Sequence, residues 1–191
     1  MLNHIKSKNM ILNAEQIIQK GLLKLDFTKG KPAQIGYDLS LKEVNRIGTM
    51  VDRINKRPEK IGKVLKDRTE LTTYTSQPLV NVDGDKGWLL YPGVYDITFH
   101  EGCKIPSNYV GLIRQRSSML RNGTVLHSSI FDPGYYCEFM GTVMVVNETI
   151  FIEEDARVGQ IYFHECEEVG QENLYSGQWQ GGLNDRPTLS K

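Results

Sequence analysis

The run Arg114-Gln115-Arg116-Ser117-Ser118-Met119-Leu120-Arg121-Asn122-Gly123 combines groups that hold phosphate: guanidinium forks, which bind oxygen pairs bidentately, and hydroxyls at a turn. It lies in a longer interval, Gly102 to Phe131, that has no Asp or Glu but carries Lys104, Arg114, Arg116 and Arg121. Such a cluster can neutralise charge that develops in phosphoryl transfer, and on composition alone it can equally be a solvated basic turn. Two isolated acids stand nearby in turn-like contexts. Asp132, in Ser128-Ser129-Ile130-Phe131-Asp132-Pro133-Gly134-Tyr135, either bonds its own backbone or positions and deprotonates a water beside an aromatic that packs on a sugar. Asp38, in Gly36-Tyr37-Asp38-Leu39-Ser40, is either a turn carboxylate or a ligand to Mg²⁺, directly or through water.

Several other chemistries are excluded. A zinc nucleoside deaminase needs a Pro-Cys-x-x-Cys pair, which the chain lacks, and there is neither a Walker A loop nor a G-x-S-x-G elbow. His4, His100, His127 and His164 are not at metal-ligand spacing, and His127 reads as a packed or turn histidine. Cys103, Cys137 and Cys166 are odd in number and widely spaced, which fits no disulfide framework and points to a reducing cytoplasm.

The elements that must position these residues follow from composition and pattern. The chain has 191 residues, 23 Lys+Arg against 23 Asp+Glu and 39% hydrophobic residues, which is enough for one domain with a true core. Net neutrality disfavours nucleic acid as the main ligand, and no apolar run is long enough to span a membrane. Asn13-Ala14-Glu15-Gln16 has the form of a capping box and predicts a short helix within residues 10–25. A second helical pattern runs from about Leu41 to Leu65, with Val44, Ile47, Val51 and Ile54 at helical spacing. It overlaps a basic stretch, 42–68, with nine Lys/Arg and four Asp/Glu. From Thr69 the texture becomes strand-length, β-branched runs between Gly, Pro and Asp turns, which predicts an all-β sandwich, jelly roll or barrel. The Gly- and amide-rich segment 174–191 reads as a tail that orders over a ligand.

Taken in order, these segments resemble the superfamily of trimeric deoxyuridine triphosphatases and deoxycytidine triphosphate deaminases, and most closely the archaeal and phage dUTPase-like members. Gly36-Tyr37-Asp38-Leu39, Arg116-Ser117-Ser118 with Arg121 and Gly123, Asp132-Pro133-Gly134-Tyr135, and Arg157-Val158-Gly159-Gln160-Ile161 match four shared motifs. The resemblance implies a distorted jelly roll of the β-clip type, with 1–191 as one domain and 42–68 as an added helical insertion. It also implies a homotrimer with active sites between subunits, and hydrolysis of dUTP to dUMP and pyrophosphate with Mg²⁺. In these roles Asp132 is the base and Ser117, Ser118 and Gln160 hold phosphates. Arg116 and Arg121 supply charge or cross-subunit support, Tyr135 packs under the deoxyribose and Asp38 stands in the metal's outer shell. Tyr175, Gln178 and Trp179 are the tail residues expected at the nucleotide. Deamination of dCTP, alone or in one bifunctional enzyme with dUTP hydrolysis, is the alternative, but it uses a glutamate in the strand after the Asp-Pro-Gly turn, and here that strand, Gly141-Thr-Val-Met-Val-Val-Asn147, has no acid. A regulator that only binds nucleotide is a third reading, supported solely by the basic stretch.

Overall fold

A computed structural model of the chain describes residues 10–49, 72–177 and 179–181. The first half forms α1 (Ala14–Gln19), β1 (Leu23–Lys24), β2 (Lys31–Pro32), β3 (Tyr37–Thr49), β4 (Thr72–Ser76), β5 (Val80–Val82), β6 (Asp85–Leu90), β7 (Gly93–Phe99) and β8 (Gly102–Lys104). The second half forms β9 (Tyr109–Gln115), α2 (Ser117–Arg121), β10 (Thr124–His127), β11 (Ile130–Phe131), β12 (Tyr136–Cys137), β13 (Gly141–Val146), β14 (Ile150–Glu153) and β15 (Arg157–Glu165). The protein is all-β, as its turn-punctuated runs predict.

The main sheet runs β10-β13-β7-β3-β15-β9-β11, with β2 and β4 also paired to β3. Two three-stranded sheets, β1-β8-β12 and β14-β6-β5, complete the fold, and the pairs among these named strands are antiparallel. Strand β13 alternates strictly between buried and half-buried positions, as a strand with one covered face must. Leu39, Leu41, Ile97, Phe99, Met144, Ile161 and Phe163 are fully buried and form the centre of the core. Each such side chain contributes about 1.5–3 kcal/mol.

The capping box forms as predicted: the Gln16 N–H donates to Asn13 Oδ1 at 2.9 Å, and the Asn13 N–H donates to Gln16 Oε1 at 3.0 Å. The helix is shorter than residues 10–25. Gly21, at φ +63°, follows its cap and turns the chain so that Leu22 and Leu23 enter the core, with Leu23 already in β1.

The helix expected from Leu41 is corrected, because Leu41–Thr49 is the end of β3. Buried Leu41 and Val44 stand three residues apart because the register against β7 shifts between Leu41 and Glu43. The first pair of the expected pattern, Val44 and Ile47, lies in this strand as well, where three residues reverse the face: Val44 is buried in the core and Ile47 lines a cavity. Residues 50–68 of the expected insertion lie outside the described residues.

At this corner β3 leaves β15, which it pairs through Tyr37–Ser40, and joins β7. Fully buried Glu101 holds the corner. It accepts from the Ser40 N–H at 2.9 Å, the Ser40 hydroxyl at 2.7 Å and the Gly30 N–H at 3.0 Å. These bonds give partners to both oxygens of a fully buried polar side chain.

Candidate functional site

Asp38 is 6% exposed, and its Oδ2 accepts from Arg157 Nη1 at 3.2 Å and forms an ion pair with Arg116 Nε at 3.3 Å. Arg116 Nη1 also donates to the Arg157 carbonyl at 3.2 Å, so one carboxylate ties together three of the four sequence motifs. Two guanidinium groups on one carboxylate leave a net positive cluster, which suits an anion. The sheet register adds to it, because Lys31 lies opposite Asp38, Asp38 opposite Gln160, and Gln160 opposite Arg114. Directly opposed residues share a sheet face, so this row sets basic and amide groups beside the ion pairs. Gln160 is held by its amide, which donates to the Ile35 carbonyl. Asp38, Arg116, Ser117 and Gln160, with Lys31 and Gln34, line one open cavity.

Gly36 makes the approach of β3 to β15 possible. It sits at φ +81°, and a Cβ there would lie 2.2 Å from the Ile161 carbonyl oxygen. Ser117 and Ser118 open α2 and are exposed, with Arg116 at the cap position. Arg121 stands in the last turn of α2, exposed and outside the lining of both cavities.

The second cavity, ≈ 490 Å³, is lined by Asp132, Tyr135, Tyr175 and Trp179 together with His127 and Asp96. Asp132, exposed, begins a turn in which its carbonyl accepts from the Tyr135 N–H at 3.0 Å, with Gly134 at φ +88°. Pro then Gly at the centre of a turn is the type II signature. The Tyr135 ring lies 5.6 Å from Phe131 and 5.3 Å, edge-on, from Tyr175. Burial pushes the Tyr135 phenol well above its ordinary pKa, and the nearby Cys137 adds to the shift. The ring is therefore neutral and packs as an aromatic surface. Beneath it Cys137 and Cys103 meet at 3.6 Å, sulfur to sulfur.

The described part of the tail packs against its own chain. The Tyr175 N–H donates to the Pro133 carbonyl at 2.9 Å, and the Trp179 N–H donates to the Tyr175 hydroxyl at 3.2 Å. Gln178 lies outside the described residues.

Three residues of this region were missed or misread in the sequence. Asp96 is a buried acid of β7 directly opposite Val143 in β13, and Val143 is directly opposite His127. No local motif marks Asp96; only the strand register brings it to the cavity. His127 is exposed at the cavity wall rather than packed. Arg157 belongs to the fourth motif, yet its role as the second partner of Asp38 emerges only when β3 and β15 pair.

The two cavities share no residue. Phe131 pairs with Gly111 near the start of β9, so Asp132 lies beside Val110, while Arg116 follows the other end of that strand. Six residues at strand rise separate them by about 20 Å. As for Mg²⁺, no group of three or more His, Cys, Asp or Glu side chains is placed to hold a metal among the described residues. Asp38 Oδ2 is already engaged by two arginines. These donors fit a Mg²⁺ carried by triphosphate oxygens with Asp38 reached through water, and they do not fit a resident all-protein site.

Residues 7–166 match the family model described as dCTP deaminase-like. A probable deoxyuridine 5'-triphosphate nucleotidohydrolase of Methanosarcina acetivorans is 31% identical over 147 residues, covering 76% of this chain and 78% of that protein. The deoxyuridine 5'-triphosphate nucleotidohydrolase of Methanocaldococcus jannaschii is 37% identical over 103 residues, 54% of this chain and 64% of that protein. Among solved structures, the 2'-deoxycytidine 5'-triphosphate deaminase of Agrobacterium tumefaciens has a TM-score of 0.55 at 16% identity. That match covers 83% of this chain and 49% of the deaminase, and it is a likeness of fold. With a family model spanning most of its length and a relative covered over more than two thirds, the chain belongs to the dCTP deaminase-like family.

Proposed function

We propose that the chain hydrolyses dUTP to dUMP and pyrophosphate, at sites built between the protomers of a homotrimer. The observation that carries this reading is the division of the motif residues between two cavities about 20 Å apart along β9. A single α-phosphate cannot touch Asp132 and the Arg116–Ser117 group of the same chain. A rotated copy, docked head-to-tail, supplies the missing half, and three such contacts close a ring. Exposed Leu120 and Ile130 are apolar surface that such a ring would cover.

In this arrangement Asp132 accepts a proton from a water that attacks the α-phosphorus. The new bond is water oxygen to phosphorus, the bond that breaks is from phosphorus to the α,β-bridging oxygen, and pyrophosphate leaves with the electron pair. Ser117, Ser118 and Gln160 hold phosphate oxygens, and Arg116, fixed by Asp38, stabilises the charge that develops. Arg121, exposed on α2, serves a neighbouring protomer's site. The neutral Tyr135 ring packs under the deoxyribose and leaves no room for a 2′-hydroxyl, while Tyr175 and Trp179 border the base. Mg²⁺ bound to the triphosphate supplies charge neutralisation for the leaving pyrophosphate.

Hydrolysis in ¹⁸O-labelled water tests the chemistry: the label is expected in dUMP and absent from pyrophosphate. Label in pyrophosphate would refute attack at the α-phosphorus, and no dUMP at all would refute the activity. A second reading, deamination of dCTP, is favoured by one observation: buried Asp96 lines the cavity from β7, opposite the β13 position of Val143. Ammonia release from dCTP tests it.

A further inference from the structure

We propose that Gln180 is a positioning residue that sets Asp132 and Tyr135 by closing the backbone of their turn. This inference rests on the proposed use of that turn in dUTP hydrolysis.

The hydrogen bonds around Tyr135 support it. Gly134, Tyr135 and Tyr136 present three N–H groups and three carbonyls, and all six are bonded. The Gly134 N–H donates to the Ile105 carbonyl at 2.9 Å, the Tyr135 N–H to the Asp132 carbonyl at 3.0 Å, and the Tyr135 carbonyl accepts from the Ile105 N–H at 2.8 Å. The remaining three come from the tail. Gln180 Nε2 donates to the Gly134 carbonyl at 2.9 Å, Gln180 Oε1 accepts from the Tyr136 N–H at 3.3 Å, and the Gly181 N–H donates to the Tyr136 carbonyl at 2.9 Å. One amide side chain therefore spans Tyr135, holding the residue before it by donation and the residue after it by acceptance. Only a group with both a donor and an acceptor on one rigid plane can do this. The same amide reaches the Tyr175 carbonyl at 3.5 Å, which links the strap to the ring packed edge-on against Tyr135.

Without Gln180 the Gly134 carbonyl and the Tyr136 N–H lose their partners, and the turn is free to shift. A displacement of about 1 Å at a reacting group costs about 10²-fold in rate. The hydrophobic core does not include Gln180, so the fold itself should persist.

The test uses two variants of the full chain and two readouts. Gln180→Ala should lower kcat/KM for dUTP by about 10- to 100-fold with an unchanged melting temperature. Gln180→Glu keeps the shape. Its carboxylate can accept from the Tyr136 N–H but cannot donate to the Gly134 carbonyl, whereas its protonated form does both. Its activity relative to wild type should therefore climb as pH falls from 8 to 5. A ratio flat across that range would overturn the proposal, as would Gln180→Ala with wild-type kcat/KM.

The second readout needs no turnover. The two tryptophans are Trp88, buried, and Trp179, which is 38% exposed on the strap. Emission of the nucleotide-free protein should shift to the red in Gln180→Ala as Trp179 leaves the cavity, and an unchanged spectrum would overturn the seating of the strap. If the wild type released no pyrophosphate from dUTP, the functional reading would fail, and the emission shift would still decide whether Gln180 seats the strap.

Discussion

Removing Asp38 should destabilise the protein more than its position near the surface suggests. In Asp38→Ala the Arg116 and Arg157 guanidinium groups lose their shared anion and are left facing one another, with Arg116 still bonded to the Arg157 carbonyl. Breaking a fully buried ion pair costs about 3–5 kcal/mol. Here the arginine side chains retain 32% and 29% exposure, so water takes over part of the lost interaction. That brings the cost to about 2–3 kcal/mol. For a chain of this length the corresponding fall in melting temperature is about 4–12 °C. Circular dichroism melts of both proteins at one protein concentration measure it, because association shifts the midpoint by mass action. In a double-mutant cycle, Asp38→Ala and Arg157→Ala together should cost less than the sum of the two. A melting temperature within 2 °C of wild type, or strict additivity, would refute the view that Asp38 holds the two arginines.

Three further outcomes are expected. Asp132→Asn should lower pyrophosphate release by about 10²- to 10⁴-fold while dUMP binding, measured by calorimetry, stays within a few-fold, and retained turnover would remove Asp132 as the base. Asp132→Asn mixed and reassembled with Ser117→Ala should regain activity that neither variant has alone, because some mixed interfaces carry two intact halves; no recovery would place both halves in one chain. Gly36→Ala should destabilise by more than about 1 kcal/mol in urea melts, since φ +81° and the Ile161 carbonyl leave no place for a Cβ.

The sequence is most legible where chemistry is local. The capping box at Asn13, the turn glycines Gly36 and Gly134, and the strand runs of β9, β13 and β15 all follow from neighbouring residues. It misleads at β3, where Val44 and Ile47 stand at a helical spacing yet belong to one strand, which only the pairing with β7 and β4 resolves. Pairings distant in sequence leave no local trace. Arg157 reaches Asp38 across 119 positions, Gln180 reaches Gly134 across 46, and Asp96 enters the cavity because β7 runs beside β13. The acid-free interval behaves differently from one compact cluster. Arg116 turns toward Asp38, while Arg121 stays on the outer face of α2, so the stretch serves two places rather than one.

Hydrolysis of dUTP and deamination of dCTP release different products, pyrophosphate and ammonia. Purified protein incubated in parallel with dUTP and with dCTP, each with Mg²⁺, and assayed for pyrophosphate and ammonia, tests the proposed function most directly. Pyrophosphate from dUTP and no ammonia from dCTP is the expected result. Ammonia from dCTP would contradict it and turn attention to Asp96.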